Sequence, residues 1–464
     1  MSIRSGRHGC RWWQPRRTRC DGGRVIRALY SALMWLAQPL LRRKLNRRGR
    51  VEPGYLVAME DRFGRYTGPA PQIAGAYIWI HAVSLGETRA AAVLIARLRE
   101  RWPDMRLLLT HGTATGRADG ATLLREGDVQ VWQPWDTPGN VRRFLQQFRP
   151  RIGILMETEV WPNMAAMCQQ YGLPLVLANA RMSEKSLRQS QHLAWLSKPA
   201  YRSLAAVWAQ TDEDARRLRT LDSPVRGVLG NIKFDATPDA SLLERGRAWR
   251  QSMARPVVMF ASSREGEDGL LLEYLDKNRA QARVERPGFA INNIAHEVQW
   301  LIVPRHPQRF DDVAALIARH GFAISRRSGW RDAVPVAEAT QPAIWLGDTL
   351  GEMSLYYGMA DVVLLGGSFE PLGGQNLIEA AACGCPVIMG PHTFNFAQAS
   401  ELAQAAGAAR RVADIGQAVD AARALVNDAA ALAAQRGSTA SFATAHRGAV
   451  DRTVAAISEL LGQQ

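Results

Sequence analysis

The feature that most limits how this 464-residue chain can fold is an alternation of short apolar runs with amphipathic stretches, carried through twice. In the first series YIWIHAV precedes the helical TRAAAVLIARLRERW, and MRLLLTHG, VQVWQPW, IGILM, LPLVLANA, AAVWAQT and VRGVLGNI follow, separated by segments of helical period. After the polar helical segment PDASLLERGRAWRQSMA the pattern restarts with PVVMFASS, WLIVPRHP, AIWLGD, DVVLLGG and PVIMGP. Buried runs of this length joined by helices imply parallel strands, because parallel neighbours need a crossover of a dozen or more residues. The chain is also too long for one core. The spacing therefore predicts two doubly wound α/β halves with a connector near residues 236 to 254. Ligands of such sheets gather beyond the strand C-termini.

The run from Asp361 to Pro391, DVVLLGGSFEPLGGQNLIEAAACGCPVIMGP, reads as strand, glycine-rich loop, helix and strand. Bare backbone N–H groups at a helix start suit an anion such as phosphate. Glu379, on the first turn, is placed to accept from ribose hydroxyls. The unit is that of a nucleotide or nucleotide-sugar binder.

Acids recur at strand-to-helix turns. HAVSLGE puts Glu87 three residues after Ser84, the spacing of a capping box, so it serves either its own helix start or a hydroxyl as general base. Thr349-Leu350-Gly351-Glu352 and Asn376-Leu377-Ile378-Glu379 repeat the arrangement. ILMETEVWPN places Glu157 and Glu159 at a strand end, LIVPRHP supplies Pro304, Arg305 and His306 at another, and GNIKFD supplies Lys233 near the connector. Asp212-Glu213-Asp214 has a D-x-D pattern but stands at a helix start, where acids are ordinary. A phosphate loop ending in Gly-Lys-Ser/Thr and an H-E-x-x-H pair are both lacking. A mechanism without metal or cofactor is expected.

The formal charge is +15, yet residues 1 to 65 hold 16 Lys/Arg against four Asp/Glu, so the remainder is nearly neutral. That distribution argues against nucleic acid, which needs basic surface on the folded domains. The apolar run Ala28 to Leu41 is flanked by Arg24 and Arg27 before it and by Arg42, Arg43, Lys44, Arg47, Arg48 and Arg50 after it. It is shorter than the roughly 20 residues that span a bilayer. A one-leaflet or barely spanning anchor attracted to anionic headgroups is expected. Five cysteines, an odd number without ligand spacing, fit a reducing compartment.

Taken in order, HAVSLGE, ILMETEVWPN, LANARMS, GNIKFD, ASSREGED, LIVPRHPQRF, GDTLGEM, the Asp361 to Pro391 run and the segment YSALMWLAQPLL resemble the Kdo (3-deoxy-D-manno-octulosonic acid) transferase family. The resemblance implies a GT-B fold, two Rossmann-like domains facing a cleft, preceded by a membrane-anchor helix. On that reading residues 1–24 are a basic extension, 25–50 the anchor with its polybasic flank, 51–240 the acceptor domain and 241–464 the CMP-sugar domain. It implies inverting, metal-independent transfer of Kdo from CMP-Kdo to a lipid A precursor, lipid IVA, at the cytoplasmic face of the inner membrane. Glu87 matches the family's proton acceptor, and Glu157 and Lys233 match its transition-state stabilisers. Pro304, Arg305, Leu350, Gly351, Glu352, Asn376, Leu377, Ile378 and Glu379 match its CMP-binding segments. The alternatives are another GT-B nucleotide-sugar transferase or epimerase, or a non-catalytic binding protein on the same fold. Residues 276 to 298 are expected to be a loop-rich insertion.

Overall fold

A computed structural model of the protein describes residues 22–68, 75–285, 298–330 and 343–462; the N-terminal basic extension up to residue 21 lies outside them. The chain forms two compact units. The first runs to Asp235 and is completed by the residues from Arg447 onward, and the second is Ala236–His446.

The first unit holds strands β1 Tyr77–Ala82, β2 Arg106–His111, β3 Val129–Trp132, β4 Ile152–Met156, β5 Leu175–Ala180, β6 Ala206–Ala209 and β7 Val225–Val228. They form one parallel sheet in the order β3-β2-β1-β4-β5-β6-β7. β1, β4 and β5 are buried at every position, which is why they read as continuous apolar runs rather than alternating ones. The order reverses between β1 and β4, the position at which doubly wound sheets receive ligands beyond their strand C-termini. Glu87 follows the first of these strands and Glu157 the second.

The second unit holds β8 Val257–Ser263, β9 Gln299–Pro304, β10 Ala323–Arg326, β11 Ala343–Leu346, β12 Val362–Leu365, β13 Val387–Met389 and β14 Ala409–Arg411. Its parallel sheet has the order β10-β11-β9-β8-β12-β13-β14, with its own reversal between β8 and β12. The glycine-rich loop leaves β12 at that point.

Two sequence expectations are corrected. The second unit does not run to residue 464, because the final helix, Ala449–Gly462, returns to the first. Its Val450, Val454, Ile457 and Leu461 join Ala90, Leu94, Leu98 and Ile232 in one core cluster. Asp235 holds the start of this helix, its carboxylate accepting from the N–H groups of Gly448 (2.5 Å) and Val450 (2.7 Å). Helical periodicity shows that such a segment has an apolar face but not which sheet it covers. Likewise residues 276 to 285 are not loop: the helix Glu267–Glu285 continues through them. Residues 286–297 of the expected insertion lie outside the described residues.

The basic N-terminal segment is a helix, Gly22–Gly49, that lies on the first unit. Ser31 donates to Asn163 Oδ1 (3.0 Å), Arg42 pairs with Glu60 (2.5 Å), Leu45 is buried, and Tyr30 bonds the buried Asp136. Every exposed position from Val25 to Leu40 is apolar: Val25, Ala28, Leu29, Ala32, Leu33, Trp35, Leu36, Pro39 and Leu40. Beyond it the exposed positions are Arg43, Lys44, Asn46, Arg47, Arg48 and Arg50. No helix among the described residues is long and apolar enough to cross a membrane.

Candidate active site

Glu87 stands on the first turn of the helix Leu85–Arg101, directly beyond β1. Ser84 caps this helix, and the Glu87 carboxylate closes the box by accepting from the N–H of Val83 (2.8 Å) and the hydroxyl of Ser84 (3.3 Å). The capping reading is therefore correct, and it fixes the carboxyl in place. Capping does not leave it an ordinary acid. Burial, followed by the charge of Glu157 and, further down, that of Glu159, raises its pKa to about 8. An acid so placed holds its proton weakly enough to exchange it near neutral pH.

Glu157 follows β4 in the left-handed region, at φ 63°. Such a conformation is costly for a residue with a Cβ and persists only where the surroundings impose it. Here its backbone is bonded on both sides, N–H to Ala178 O (3.1 Å) and C=O from Arg181 N–H (3.0 Å). Its carboxylate Oε1 lies 2.6 Å from Lys233 Nζ, both groups being largely buried. Lys233, by default a surface charge, is instead carried inward on the short turn Ile232–Asp235, which packs on the helix Leu85–Arg101.

Sequence reasoning missed what holds that turn. Asn179, at the end of β5 and also left-handed at φ 53°, accepts through Oδ1 from Ile232 N–H (3.0 Å), while Asp235 fastens the turn's far end to the C-terminal helix. The buried Nδ2 of Asn179 has no hydrogen-bond partner. A polar residue ending an apolar run in LANARMS was the available signal. His81 was also missed: it is 1% exposed, and its Nε2 lies 3.9 Å from Glu159 Oε2. This corner thus gathers Glu87, Glu157, Glu159, Asn179 and His81 from the ends of β1, β4 and β5, with Lys233 brought in on the turn Ile232–Asp235, acids outnumbering cations. Asp212, Glu213 and Asp214 lie at the start of another helix, where Asp214 accepts from Thr211 (2.7 Å) and from Met182 N–H (2.8 Å).

In the second unit the glycine-rich loop differs from expectation. Several of its donors are not bare: Glu267, fully buried, accepts from the loop N–H groups of Gly367 (2.6 Å) and Phe369 (3.0 Å), as well as from that of Arg264 just after β8 (2.8 Å). Gly374 and Gln375 N–H groups are spent on Gly367 O (2.6 Å) and Gly366 O (3.0 Å). Glycine is required because Gly367 has φ 70° and a Cβ on Gly366 would collide with the Ser262 carbonyl oxygen. An internal carboxylate thus shapes the loop. Glu267→Ala, which strands those buried donors, is expected to destabilise the protein by about 1–3 kcal/mol, read from denaturant unfolding. Unchanged stability would show that these bonds do not shape the loop.

The other residues expected around the nucleotide are placed as follows. Pro304 ends β9, and Arg305 N–H donates to Ser263 O (3.0 Å). Burial pushes the Tyr357 phenol well up, Glu379 adding to the rise and Arg305 opposing it. Asn376 caps the short helix Leu377–Ala382 through Ile378 N–H (3.2 Å), and the side chains of Leu377 and Ile378 are buried, leaving their backbone as the available contact. Leu350 is exposed and Gly351 is left-handed, at φ 80°. Glu352 is engaged by Arg327 (2.7 Å), Arg245 (3.0 Å) and the Thr349 hydroxyl.

A family model described as 3-Deoxy-D-manno-octulosonic-acid transferase (kdotransferase) matches residues 58–236. A 3-deoxy-D-manno-octulosonic acid transferase of Bordetella pertussis is 43% identical over 447 residues, covering 94% of this chain and all of that one. One from Haemophilus influenzae is 32% identical over 379 residues, 80% of this chain and 83% of that one. Among solved structures, Anabaena HepE in complex with UDP (TM-score 0.52, 14% identity) covers 84% of this chain and all of its own. The UDP-GlcNAc 2-epimerase of Neisseria meningitidis bound to UDP-GlcNAc (TM-score 0.51, 12% identity) covers 83% and 100%. Likeness at these identities concerns the fold.

Proposed function

The chain belongs to the 3-deoxy-D-manno-octulosonic acid transferase family, and on that premise we propose the reaction and the residues that carry it. The protein is a glycosyltransferase of lipopolysaccharide synthesis, and its two parallel-sheet α/β units are GT-B-like. In the proposed reaction Kdo passes from CMP-Kdo to a lipid A precursor of the lipid IVA type, by one displacement and without a metal. Glu87 takes the proton from an attacking glucosamine hydroxyl. The hydroxyl oxygen bonds the anomeric carbon while the bond to the CMP phosphate breaks, its electron pair leaving with CMP, so the anomeric centre inverts. Lys233, held by Glu157, and Arg305 offset negative charge in the transition state. Pro304, Arg305, Leu350 to Glu352 and Asn376 to Glu379 hold the CMP moiety.

The observation that carries this reading is the Glu87 carboxyl, buried, fixed by its cap and raised to about 8 beside the Glu157–Lys233 pair. Incubation of the full chain with CMP-Kdo and a tetraacylated glucosamine disaccharide, followed by mass spectrometry, is expected to show Kdo addition. Turnover of a UDP-sugar with no Kdo product would favour the other GT-B reading.

The same proposal places the protein on the cytoplasmic face of the inner membrane, held through the helix Gly22–Gly49. Its wholly apolar exposed face followed by a basic one is the pattern of a helix lying in the headgroup layer. Replacing Leu29, Leu33, Leu36 and Leu40 by Gln is expected to lower partition onto anionic phospholipid vesicles by more than tenfold. Equal sedimentation with vesicles would rule the anchor out.

A further inference from the structure

The helix Pro162–Tyr171, which follows β4, has no cap from its own chain segment. The residue before it is Trp161, whose indole can only donate, whereas the N–H groups of a helix start need acceptors. Asp136, in the segment after β3, supplies them from a distance. Its two carboxylate oxygens accept from the N–H groups of Asn163 (2.9 Å) and Met164 (2.8 Å), and the Asn163 Nδ2 donates back to Asp136 O (2.7 Å). Asp136 and Asn163 are each 1% exposed, so no water competes for these bonds.

The N-terminal helix Gly22–Gly49 joins this cap. Tyr30 donates to the Asp136 carboxylate, Ser31 shares its hydroxyl hydrogen between Asn163 Oδ1 (3.0 Å) and Arg27 O (2.6 Å), and Arg27 acts on Asp136 through its charge. Burial and the Asp136 charge hold the Tyr30 phenol above its usual range, so it stays a donor. Burial raises Asp136 to about 6, which leaves it ionised at neutral pH and a strong acceptor for all three. Between the capped turn and β4 lie only residues 157–161. They are held at one end by Glu157 N–H on Ala178 O (3.1 Å) and at the other by Asp136. Glu157, strained at φ 63° and paired with Lys233, is thus five residues from a cap that the N-terminal helix completes.

We propose that Tyr30, acting through Asp136, is a positioning residue for Glu157, so that the N-terminal helix sets the geometry of the catalytic strand end. The inference rests on the transferase reading for what Glu157 does, though not for the link from Tyr30 to the helix start. Without the phenol the buried carboxylate keeps its charge but loses a donor, and the helix start that it caps loosens with it. A displacement of about 1 Å at a reacting group is enough to cost up to about 100-fold in rate. A helix lifted off the first unit would therefore slow turnover as well as release the protein from lipid.

The test uses the full chain and Tyr30→Phe, which keeps the ring and removes only the hydroxyl. Native-state hydrogen exchange, followed by mass spectrometry, is expected to run about fivefold faster at the Asn163 and Met164 amides, the scale of one hydrogen bond. The kcat for Kdo transfer is expected to fall about tenfold, with the KM for CMP-Kdo and sedimentation with anionic phospholipid vesicles unchanged. In a Glu157→Gln background the same substitution should cost no further turnover, because the two changes then act through one group. A residue that only supports the fold would lower kcat equally in both backgrounds, and that result would overturn the proposal. So would unchanged exchange at the two amides, an unchanged kcat in the parent background, or a loss of vesicle binding that accounts for the slower turnover. A parent that makes no Kdo product removes the transferase reading instead. The exchange comparison needs no substrate and still decides whether Tyr30 holds the strand end.

Discussion

Glu87→Gln is expected to lower kcat by about 100-fold or more while leaving the fold and donor binding intact, the scale on which general bases act. Glutamine preserves the acceptor that caps the helix, so the loss reports the missing proton transfer rather than a frayed helix start. pH provides a second reading. Burial, with the Glu157 charge behind it, raises this carboxyl to about 8, so the competent deprotonated form and kcat/KM both grow as pH rises through that value. Stability moves the other way. The native state retains a proton that the unfolded chain gives up near 4.5, where a glutamate in water ordinarily titrates. The stabilisation from that proton is complete below the unfolded pKa and is lost as pH rises through the folded one. Glu87→Gln, which cannot ionise, should therefore unfold at a higher temperature than the parent at pH 8.5 and at a similar temperature near pH 4. A variant with normal turnover would remove Glu87 from the chemistry, and parallel melting curves at all pH values would remove the raised pKa.

Lys233→Met is expected to be damaging twice over. It leaves Glu157 buried on a strained backbone without its cation, a loss of about 3–5 kcal/mol for a pair taken fully out of water. The 21% exposure of the Lys233 side chain puts the expectation at the low end. Turnover should fall by about 10²–10³, the scale for loss of one transition-state electrostatic contact. The double variant Lys233→Met with Glu157→Gln separates the two effects, because it removes both charges at once. Thermal unfolding should recover toward the parent while turnover stays low. Recovery of both would reduce the pair to a structural role, and no loss of either in the single variant would dismiss it.

Much of this site is legible in the amino-acid sequence, for reasons that are local. β1, β4 and β12 are continuous apolar runs because parallel strands are buried on both faces, and the residues after them stand at ligand-bearing ends whatever the strand order. That is enough to single out Glu87, Glu157 and the loop after β12. Two facts are not legible there. Donors of the glycine-rich loop look free because their acceptor, Glu267, is a hundred residues earlier in the chain. Lys233 looks like a surface charge because its partner is 76 positions away and meets it only through a turn that Asn179 and Asp235 hold in place. The final helix belongs with the first unit for a similar reason: its apolar face fits whichever sheet leaves a matching gap.

Sequence alone determined the two α/β halves, the family, the basic start and the identity of the acids at the strand ends, since periodicity and composition are properties of neighbouring residues. Tertiary structure decided which of those groups are satisfied and which are not. It consumed donors of the loop with Glu267 and gave Glu157 its cation. Hydrogen bonds and ion pairs act over about 3 Å, and only strand order and crossover helices bring residues distant in the chain to that separation.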